Sequence, residues 1–339
     1  MKLVDTRDAV GQVLCHDITQ IIKDVSKGPV FRKGHVIREE DIEVLLSVGK
    51  EHIYVWENDE TMMHEDDAAQ VLADICKGKN TYQNQPKEGK IEIFADCDGV
   101  LRVDRELLAA VNSFGRMMIA SRHGDFSIRK GQKIAGTRII PLVIEKDVME
   151  QVKNKAEDRA VFSVDPYMHK NVGIVTTGNE VFYGRIKDTF TPVVRNKVKE
   201  FGAEIIGEKK SNDDPENIIT AIRKLLNDGA DMILCTGGMS VDPDDKTPLA
   251  IRTVSDEVVT YGAPVLPGAM FMLGYTNGEI PVMGLPGCVM YAKRTIFDLV
   301  LPRIMTGEKL TKEIFDSYGE GGLCLDCEVC AFPNCGFGK

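Results

Sequence analysis

The chain has 339 residues, of which 43% are hydrophobic and 28% are charged, and its net charge is −10. This length predicts two or three domains, and the composition is typical of a globular protein with a sizeable core. The negative charge argues against a nucleic-acid or anionic membrane partner, and no apolar stretch is long enough to predict a transmembrane helix. Because the N-terminus MKLVDTRDAVGQVL lacks the pattern of a secretion signal, we expect a cytoplasmic protein.

Residues 1–77 predict a small α/β module. The runs FRKGHVI, REEDIEVLLSVGK and HIYVWE predict a strand, a helix and a strand, with Gly49 at the end of the helix. A second helix is expected from His64 to Cys76. The polar segment KGKNTYQNQPKEGK (77–90) predicts a linker.

Residues 91–144 predict a small β-rich module. The run IEIFADCDGVLRVD predicts a hairpin around residues 98–99, because an Asp-Gly pair tolerates the positive φ of a tight turn. RELLAAVNSFG predicts a helix, and IRKGQKIAGTRIIPLVI predicts short strands. A charged helix is expected at 146–159, and nothing in this segment indicates a functional site.

Strands and helices alternate from residue 171 onward. NVGIVTTG, AEIIGEKK, DMILCTGG and EIPVMGLPG predict strands. TPVVRNKVKEFG, DPENIITAIRKLLNDG, KTPLAIRTV and CVMYAKRTIFDLVLPRIM predict helices. This alternation predicts an α/β domain at 165–308, with a doubly wound, mostly parallel sheet and helices on both of its faces.

Four polar, glycine-containing or acidic loops follow the predicted strands. In a doubly wound sheet, ligands bind outside the carboxyl ends of the strands, so the four loops are expected to form one rim. They are TTGNE (176–180), KKSNDDP (209–215), CTGGMSVDPDD (235–245) and GLPGC (284–288). Glycines allow close backbone approach to a ligand, and helix N-termini present free N–H groups to an anion. The sequence therefore predicts an anion-binding rim that carries Glu180, Asp213 and Asp245.

These loops together resemble the molybdopterin-binding domain shared by molybdopterin adenylyltransferases and molybdopterin molybdotransferases. The resemblance is carried by TGNE, a G-x-I-x-D at 184–188, Asn-Asp-Asp-Pro-Glu (212–216), TGGMSVDPDDKTP and GLPGC. Thr247-Pro248 is similar to the adenylyltransferase, whereas Gly-Met-Ser-Val and PGAMFMLGY are similar to the molybdotransferase. The chain departs from the family at Cys288, where Asn is usual, and residues 1–165 lack the Met-Asp-Gly-Tyr-Ala stretch of the molybdotransferase.

The resemblance implies a protein of molybdenum cofactor biosynthesis that binds molybdopterin or adenylylated molybdopterin, with nucleotidyl transfer or metal insertion as its chemistry. It implies functional acids at Glu180, Asp213 and Asp245, of which Asp213 and Asp245 hold Mg²⁺ against the phosphates of an ATP or AMP moiety. The implied ligand-binding residues are Thr177, Gly178, Thr236, Gly237, Gly238, Ser240, Pro286, Gly287 and Cys288. A homo-oligomer is also expected by the resemblance. Two alternatives stay open: a non-enzymatic cofactor chaperone or sensor that serves a molybdoenzyme partner, and a related domain that binds another nucleotide.

Four cysteines crowd the C-terminal segment 321–339, which we call the cysteine tail. Cys324, Cys327, Cys330 and Cys335 follow the pattern C-x2-C-x2-C-x4-C. Thiolates at this density repel one another unless a metal neutralises them. The first three match the start of a bacterial iron–sulfur motif, and four-cysteine zinc binding also fits. The tail is therefore predicted to bind an iron–sulfur cluster or Zn²⁺, against the alternative of a flexible, reduced segment.

Overall fold

The computed structural model of the protein describes residues 1–22, 26–56 and 59–339. The chain forms two compact units. The N-terminal unit comprises residues 1–96, 103–122 and 130–163, and the C-terminal unit comprises residues 97–102, 123–129 and 164–339. None of the helices in these described ranges has both the length and the apolar character needed to cross a membrane.

The first part of the described chain contains thirteen strands and four helices. The strands are β1 (Lys2–Asp5), β2 (Ile18–Ile22), β3 (Ser26–Phe31), β4 (His52–Val55), β5 (Met62–His64), β6 (Thr81–Gln83), β7 (Lys90–Ala95), β8 (Gly99–Val103), β9 (Met117–Ser121), β10 (Ser127–Ile128), β11 (Lys133–Ile139), β12 (Val143–Glu145) and β13 (Phe162–Pro166). The helices are α1 (Asp41–Ser47), α2 (Glu65–Cys76), α3 (Arg105–Asn112) and α4 (Lys146–Ala156).

The N-terminal unit is built from small antiparallel sheets. β1 pairs with β4, β2 with β3, and β5 with β12, while a larger sheet has the order β6-β7-β11-β9. Helix α1 ends at Ser47 and Gly49 follows its C-cap with φ at +79°, while α2 begins directly after its N-cap His64, as the sequence predicted. The predicted strand HIYVWE is β4; its last residue, Glu57, lies outside the described residues.

The prediction of a linker at 77–90 is wrong, because this segment contains strand β6, which pairs with β7. Tyr82 on β6 stacks on Phe94 of β7 with the ring centroids 5.4 Å apart. Helix α2 packs against β7 and β11, so residues from the predicted segments 1–77 and 91–144 share one compact unit. The amphipathic helix buries Leu72 and neighbouring alanines, and the later strands β7 and β11 supply the apolar surface that covers them.

The predicted hairpin around residues 98–99 is also wrong. β7 lies between β6 and β11, whereas β8 pairs with β10 and belongs to a different sheet with β13. A Cβ on Gly99 would lie 2.1 Å from the carbonyl oxygen of Asp165. Gly99 is therefore needed for the close approach of another strand, and not for a tight turn.

The C-terminal unit contains the remaining strands and helices. The strands are β14 (Asn171–Thr177), β15 (Glu204–Ser211), β16 (Met232–Thr236), β17 (Glu257–Tyr261), β18 (Met272–Thr276) and β19 (Ile280–Leu285). The helices are α5 (Asn179–Phe182), α6 (Phe190–Lys199), α7 (Pro215–Asn227), α8 (Thr247–Val254), α9 (Ile296–Met305) and α10 (Lys312–Ser317). The sheet has the order β15-β14-β16-β19-β18-β17. The first four strands are parallel and β18 is antiparallel to both of its neighbours, which confirms the doubly wound, mostly parallel α/β fold.

Both faces of this sheet are covered, because alternate residues of its central strands point to opposite sides. Met232 and Leu234 on β16 belong to the core that includes residues of α6 and α9. Ile233 and Cys235 on the same strand belong to the core that includes residues of α7 and α8. Each fully buried side chain of this size contributes about 1.5–3 kcal/mol to folding. A central strand that is apolar throughout therefore requires helices on both faces.

The predicted long helix CVMYAKRTIFDLVLPRIM is interrupted. A 3₁₀ turn covers Gly287–Met290, and α9 begins only at Ile296. Thr295 forms a capping box, in which its hydroxyl accepts from the N–H of Phe297 (3.2 Å) and its own N–H donates to Asp298 Oδ2 (2.8 Å). Because this capping box starts α9 at Ile296, residues 291–295 form a loop that precedes the helix.

The segment 97–102 is held in the C-terminal unit by one arginine. Arg102 Nε donates to Asp165 Oδ2 (2.7 Å), Nη1 to Asp125 Oδ1 (2.8 Å) and Nη2 to Glu308 Oε2 (2.7 Å). Glu308 also pairs with Arg303 of α9. Three carboxylates thus share one guanidinium, which fixes strand β8 against residues more than 200 positions away in the chain.

Candidate ligand-binding rim

The strand order creates a topological switch point at the carboxyl ends of β14 and β16. The chain passes from β14 to β15 on one side of β14, and then to β16 on its other side. Helices that leave neighbouring strands in opposite directions open a crevice at such a point. The four loops 176–180, 212–214, 236–246 and 284–288, which we call the rim, follow β14, β15, β16 and β19 at this edge.

Buried threonines lock the glycine turn at 236–238 in place. Thr177 Oγ1 donates to the carbonyl oxygen of Thr236 (3.2 Å) and lies 3.0 Å from Thr247 Oγ1. Thr247 Oγ1 donates to the carbonyl oxygen of Gly237 (2.9 Å), and its N–H donates to that of Gly238 (3.2 Å). The ends of β14 and β16 and the start of α8 are therefore tied together around the turn.

The two glycines of the turn are required by the protein's own packing. Gly237 has φ at +88° and Gly238 at +55°. A Cβ on Gly237 would lie 2.4 Å from the carbonyl oxygen of Thr177, and one on Gly238 would lie 2.8 Å from Thr247 Oγ1. A Gly238→Val substitution therefore strains the turn itself, so it is unsuitable as a test of ligand contact alone.

The three acidic residues of the rim differ in their burial and in their hydrogen bonds. Asp213 Oδ2 accepts from the N–H of Asn179 (2.9 Å), which joins the loops after β14 and β15. Asp245 is half-buried, and a Cβ on Gly238 would lie 3.7 Å from its Oδ1. Neither is a helix cap, because Asp214 caps α7 and Lys246 occupies the cap position of α8. Glu180 is exposed in α5, with its carboxylate beside Gly178.

The loop at 284–288 completes the rim from β19. Pro286 is buried, Gly287 is exposed and Cys288 is half-buried. Burial raises the pKa of the Cys288 thiol, so the thiol is protonated at neutral pH. Thr189 Oγ1 donates to the sulfur of Met290 (3.2 Å), which links this loop to the segment before α6.

Two rim-supporting residues were missed by the sequence analysis as site residues. The Tyr261 hydroxyl donates to the carbonyl oxygens of Met239 (3.2 Å) and Ser240 (3.3 Å). Burial is the largest cause that raises the pKa of Tyr261, and the negative charge of Asp245 is the second. Tyr261 lies on β17, an edge strand that the sequence did not predict. Asp188 Oδ1 accepts from the N–H groups of Phe190 (2.9 Å) and Thr191 (3.0 Å) at the start of α6. Its position in the G-x-I-x-D run was the available signal.

The cysteine tail is packed against the C-terminal unit. Leu266 N–H donates to Gly322 and Cys324 N–H donates back to Leu266, each at 2.8 Å. Phe337 is buried in the core beneath α9. The four tail cysteines line one cavity of about 210 Å³. Among the described residues, no group of three or more His, Cys, Asp or Glu side chains converges on a point as the ligands of one metal ion must.

The sheet order and the switch point define this unit as a doubly wound α/β domain. Residues 173–306 match the family model described as a probable molybdopterin binding domain. Residues 3–57 match a model of a domain of unknown function.

Individual proteins resemble this domain only in part. A CinA-like protein of Mycolicibacterium gilvum is 35% identical over 80 residues, which are 24% of this chain and 19% of that protein. A molybdopterin molybdenumtransferase of Staphylococcus epidermidis is 24% identical over 123 residues, which are 34% of this chain and 29% of that protein. The chain thus spans about a fifth to a third of the length of these relatives. The crystal structure of the molybdopterin biosynthesis enzyme MoaB from Thermus thermophilus aligns with a TM-score of 0.37 and 26% identity, over 41% of this chain and 98% of that one.

Proposed function

We propose that the rim binds molybdopterin or adenylylated molybdopterin, and that the protein acts in molybdenum cofactor biosynthesis. The observation that carries this proposal is the glycine turn at 236–238, which buried threonines hold at the switch point of the sheet. A turn of this kind presents backbone N–H groups to a phosphate without further reorganisation. The family match over 173–306 supports a pterin as the rest of the ligand.

The ligand-binding residues of this proposal are arranged around that turn. Thr177, Gly178, Thr236, Gly237, Gly238 and Ser240 hold the phosphate side, and Pro286, Gly287 and Cys288 bound the other side of the crevice. The hydroxyl of Thr236 is buried and has no hydrogen-bond partner among the described residues. Since buried hydroxyls are normally paired, an unpaired one at the turn supports a site that a ligand or an ordered water completes.

Asp213 and Asp245 are the proposed Mg²⁺ residues, and Glu180 is the third proposed acid. Mg²⁺ usually keeps several waters and binds one or two carboxylates together with substrate phosphates, so two half-buried carboxylates at a phosphate site fit it without a preformed cage. The ion would neutralise the phosphates of an ATP or AMP moiety during nucleotidyl transfer. The chain's own part is to hold the pterin phosphate at the turn and the nucleotide beside Asp213 and Asp245.

The second candidate is a non-enzymatic carrier that binds molybdopterin and delivers it to a molybdoenzyme. This candidate is favoured by the presence of the N-terminal unit, whose residues 3–57 match a domain of unknown function. In this proposal the N-terminal unit binds the partner enzyme. In both candidates the rim is the same, and turnover distinguishes them. A homo-oligomer is part of the proposal in both cases, because edge strand β17 and the rim expose Tyr261 and Val241.

The test is ligand analysis of the full-length chain after anaerobic purification. We expect an oxidised fluorescent pterin, released by denaturation, at near-stoichiometric amount, and pyrophosphate release when Mg²⁺-ATP and molybdopterin are added. Pterin retention without turnover supports the carrier. A folded chain that retains a nucleotide without a pterin, and that takes up no added molybdopterin, contradicts the proposal.

A further inference from the structure

The cavity in the cysteine tail lies away from the rim loops and is used by no step of the proposed function. Its volume is about 210 Å³, and its lining includes Cys324, Cys327, Cys330, Cys335, Lys293 and Arg294. The remaining walls are mainly apolar, with Phe332 and Phe337 among them. All four tail cysteines therefore line one space that is several times larger than a single water molecule requires.

The tail is an ordered loop that is closed at its base. Gly338 N–H donates to the carbonyl oxygen of Gly321 (2.9 Å), and both glycines have φ at +80°. A Cβ on Gly321 would lie 2.1 Å from the carbonyl oxygen of Lys339. Phe332 packs on Phe126, and Arg294 lies over the ring of Phe332 at 5.1 Å. The backbone that carries the cysteines is therefore anchored at both ends.

Two cations stand at this cavity. Lys293 Nζ donates to the carbonyl oxygens of Cys327 (2.8 Å) and Glu328 (3.3 Å), so it fastens the backbone between the second and third cysteines. Arg294 donates to Asp298 Oδ1 (2.9 Å) and hydrogen-bonds to the Cys330 side chain. Both come from the loop 291–295 that the Thr295 capping box leaves outside α9. Fixed positive charges in the lining of a cavity favour an anionic ligand there.

The size of the cavity distinguishes two kinds of metal centre. In a four-cysteine zinc site, every sulfur is about 2.3 Å from one ion, so the thiols converge and leave no cavity between them. Here the four cysteines line one cavity, and among the described residues no three of them are placed to hold a single ion. A cubane cluster has an iron at each of four separate corners, and each iron takes one cysteine, so its ligands stand apart around a central volume.

We propose that Cys324, Cys327, Cys330 and Cys335 hold one [4Fe–4S] cluster in this cavity, beside Lys293 and Arg294. The cluster enters by ligand exchange from a carrier of preformed clusters. Four thiols each lose a proton and form one iron–sulfur bond, and the carrier's thiolates take up those protons, so that no oxidant or reductant is consumed. The two cations offset the negative charge that four thiolates add to the cluster.

The primary experiment measures iron, acid-labile sulfide and zinc in the full-length chain purified without oxygen. We expect about four iron and about four sulfide per chain, with a broad visible absorption near 400 nm typical of iron–sulfur proteins. Cys327→Ser should lose most of the iron, because its exposed side chain can be changed without disturbing the core. Cys97→Ser is the matched control, because Cys97 lies in the same unit but outside the cavity and should leave the iron content unchanged.

A second measurement tests cluster binding even when the protein is purified without a cluster. Apo-protein treated with Fe²⁺ and sulfide under argon should regain the visible band, whereas Cys327→Ser should not. Lys293→Gln should keep the cluster but shift its reduction potential to a more negative value, since a lost positive charge destabilises the reduced state. About one zinc per chain without iron, or reconstitution that fails in the folded wild-type chain, overturns the proposal. Pterin retention, measured on the same samples, reports ligand binding at the rim separately from cluster binding in the tail.

Discussion

The hydroxyl of Thr247 donates a hydrogen bond of 2.9 Å to the carbonyl oxygen of Gly237, although ten residues separate the two along the chain. This bond places the first residue of α8 directly behind the glycine turn. The buried position of Thr247 leaves its hydroxyl no solvent partner, so the bond closes the acidic loop 239–246 into a fixed shape. The shape of the turn therefore depends on a side chain of α8.

Thr247→Val should weaken molybdopterin binding about tenfold or more while the unit stays folded. The valine keeps the volume of threonine but leaves the Gly237 carbonyl oxygen and Thr177 without their partner, at a cost of about 1–3 kcal/mol. Binding is measured by quenching of pterin fluorescence under anaerobic conditions. Thr247→Ser should bind normally, and Thr253→Val is the control, because the hydroxyl of Thr253 bonds only within α8 at the surface. Normal affinity in folded Thr247→Val would show that the turn needs no such support.

Asp245→Asn should abolish Mg²⁺-dependent nucleotide binding and leave the thermal stability nearly unchanged. The helix α8 is not capped by Asp245, and Asn can still accept the long 3.4 Å hydrogen bond from the N–H of Asp242. The change therefore removes mainly the negative charge that Mg²⁺ needs. Titration calorimetry with ATP, with and without Mg²⁺, measures the effect. The exposed Asp244→Asn is the matched control, and equal losses in both variants would attribute the effect to the net charge of the loop.

The contribution of Asp188 to stability should disappear in acid. Burial alone would raise the pKa of this carboxyl, but hydrogen bonds from Thr191 and Phe190 hold it below the ordinary value of 3.8. A carboxyl whose pKa is lowered by folding stabilises the protein above its unfolded pKa, and this stabilisation is lost as the pH falls through the folded pKa.

Asp188→Asn should accordingly be less stable than the wild type at neutral pH, by about 1 kcal/mol, since Asn can accept the same N–H groups without the charge. The difference between the two should shrink as the pH falls below 3.8. Thermal unfolding followed by circular dichroism across this range measures it. A difference that stays constant down to the lowest pH at which the wild type folds contradicts the role of the charge.

Removal of the cysteine tail should destabilise the domain that carries the rim. Phe337 is 4% exposed and packs in the same core as α9, so Phe337→Ala should cost about 3–5 kcal/mol. Deletion of residues 323–339 should lower the melting temperature further, because it also uncovers Phe126, which packs on Phe332. The exposed Leu325→Ala is the control and should have little effect. A tail deletion that melts like the full chain would mean that the tail is a separate module.

The alternation of apolar strands with amphipathic helices from residue 171 was sufficient to predict the doubly wound sheet and its rim. The strands within NVGIVTTG, DMILCTGG and EIPVMGLPG carry apolar residues on both of their faces, which burial on both faces explains. Parallel strands then place their following loops at one edge whatever the details of packing. Glu180, Asp213 and Asp245 were therefore assigned to the rim from the sequence, while their function stays a prediction.

Elements that depend on distant partners were not predictable in the same way. Strands β17 and β18 are antiparallel and do not follow the alternation of strands and helices, so the sequence did not predict them. The hydrogen bond from Tyr261 on β17 to the carbonyl oxygen of Met239 was therefore missed as well. Residues 98–99 have the composition of a hairpin turn, yet Gly99 serves the approach of a strand at residue 165. Local preference for a turn is worth only a few tenths of a kcal/mol to about 1 kcal/mol, so a long-range strand pairing readily overrides it.

The cysteine spacing shows the same division between local and tertiary information. The pattern C-x2-C-x2-C-x4-C indicated a metal centre but left zinc and iron–sulfur open. The spacing along the sequence limits the distances that the thiols can adopt, but it does not fix the distances in the folded chain. The cavity, the closed base between Gly321 and Gly338, and the cations Lys293 and Arg294 arise from two segments that meet only in the folded chain. The sequence by itself determined which side chains are available and which periodicities they follow, because these depend on neighbours within a few residues. Only the tertiary structure decided the distances among distant groups, because those distances are set by the packing of the core.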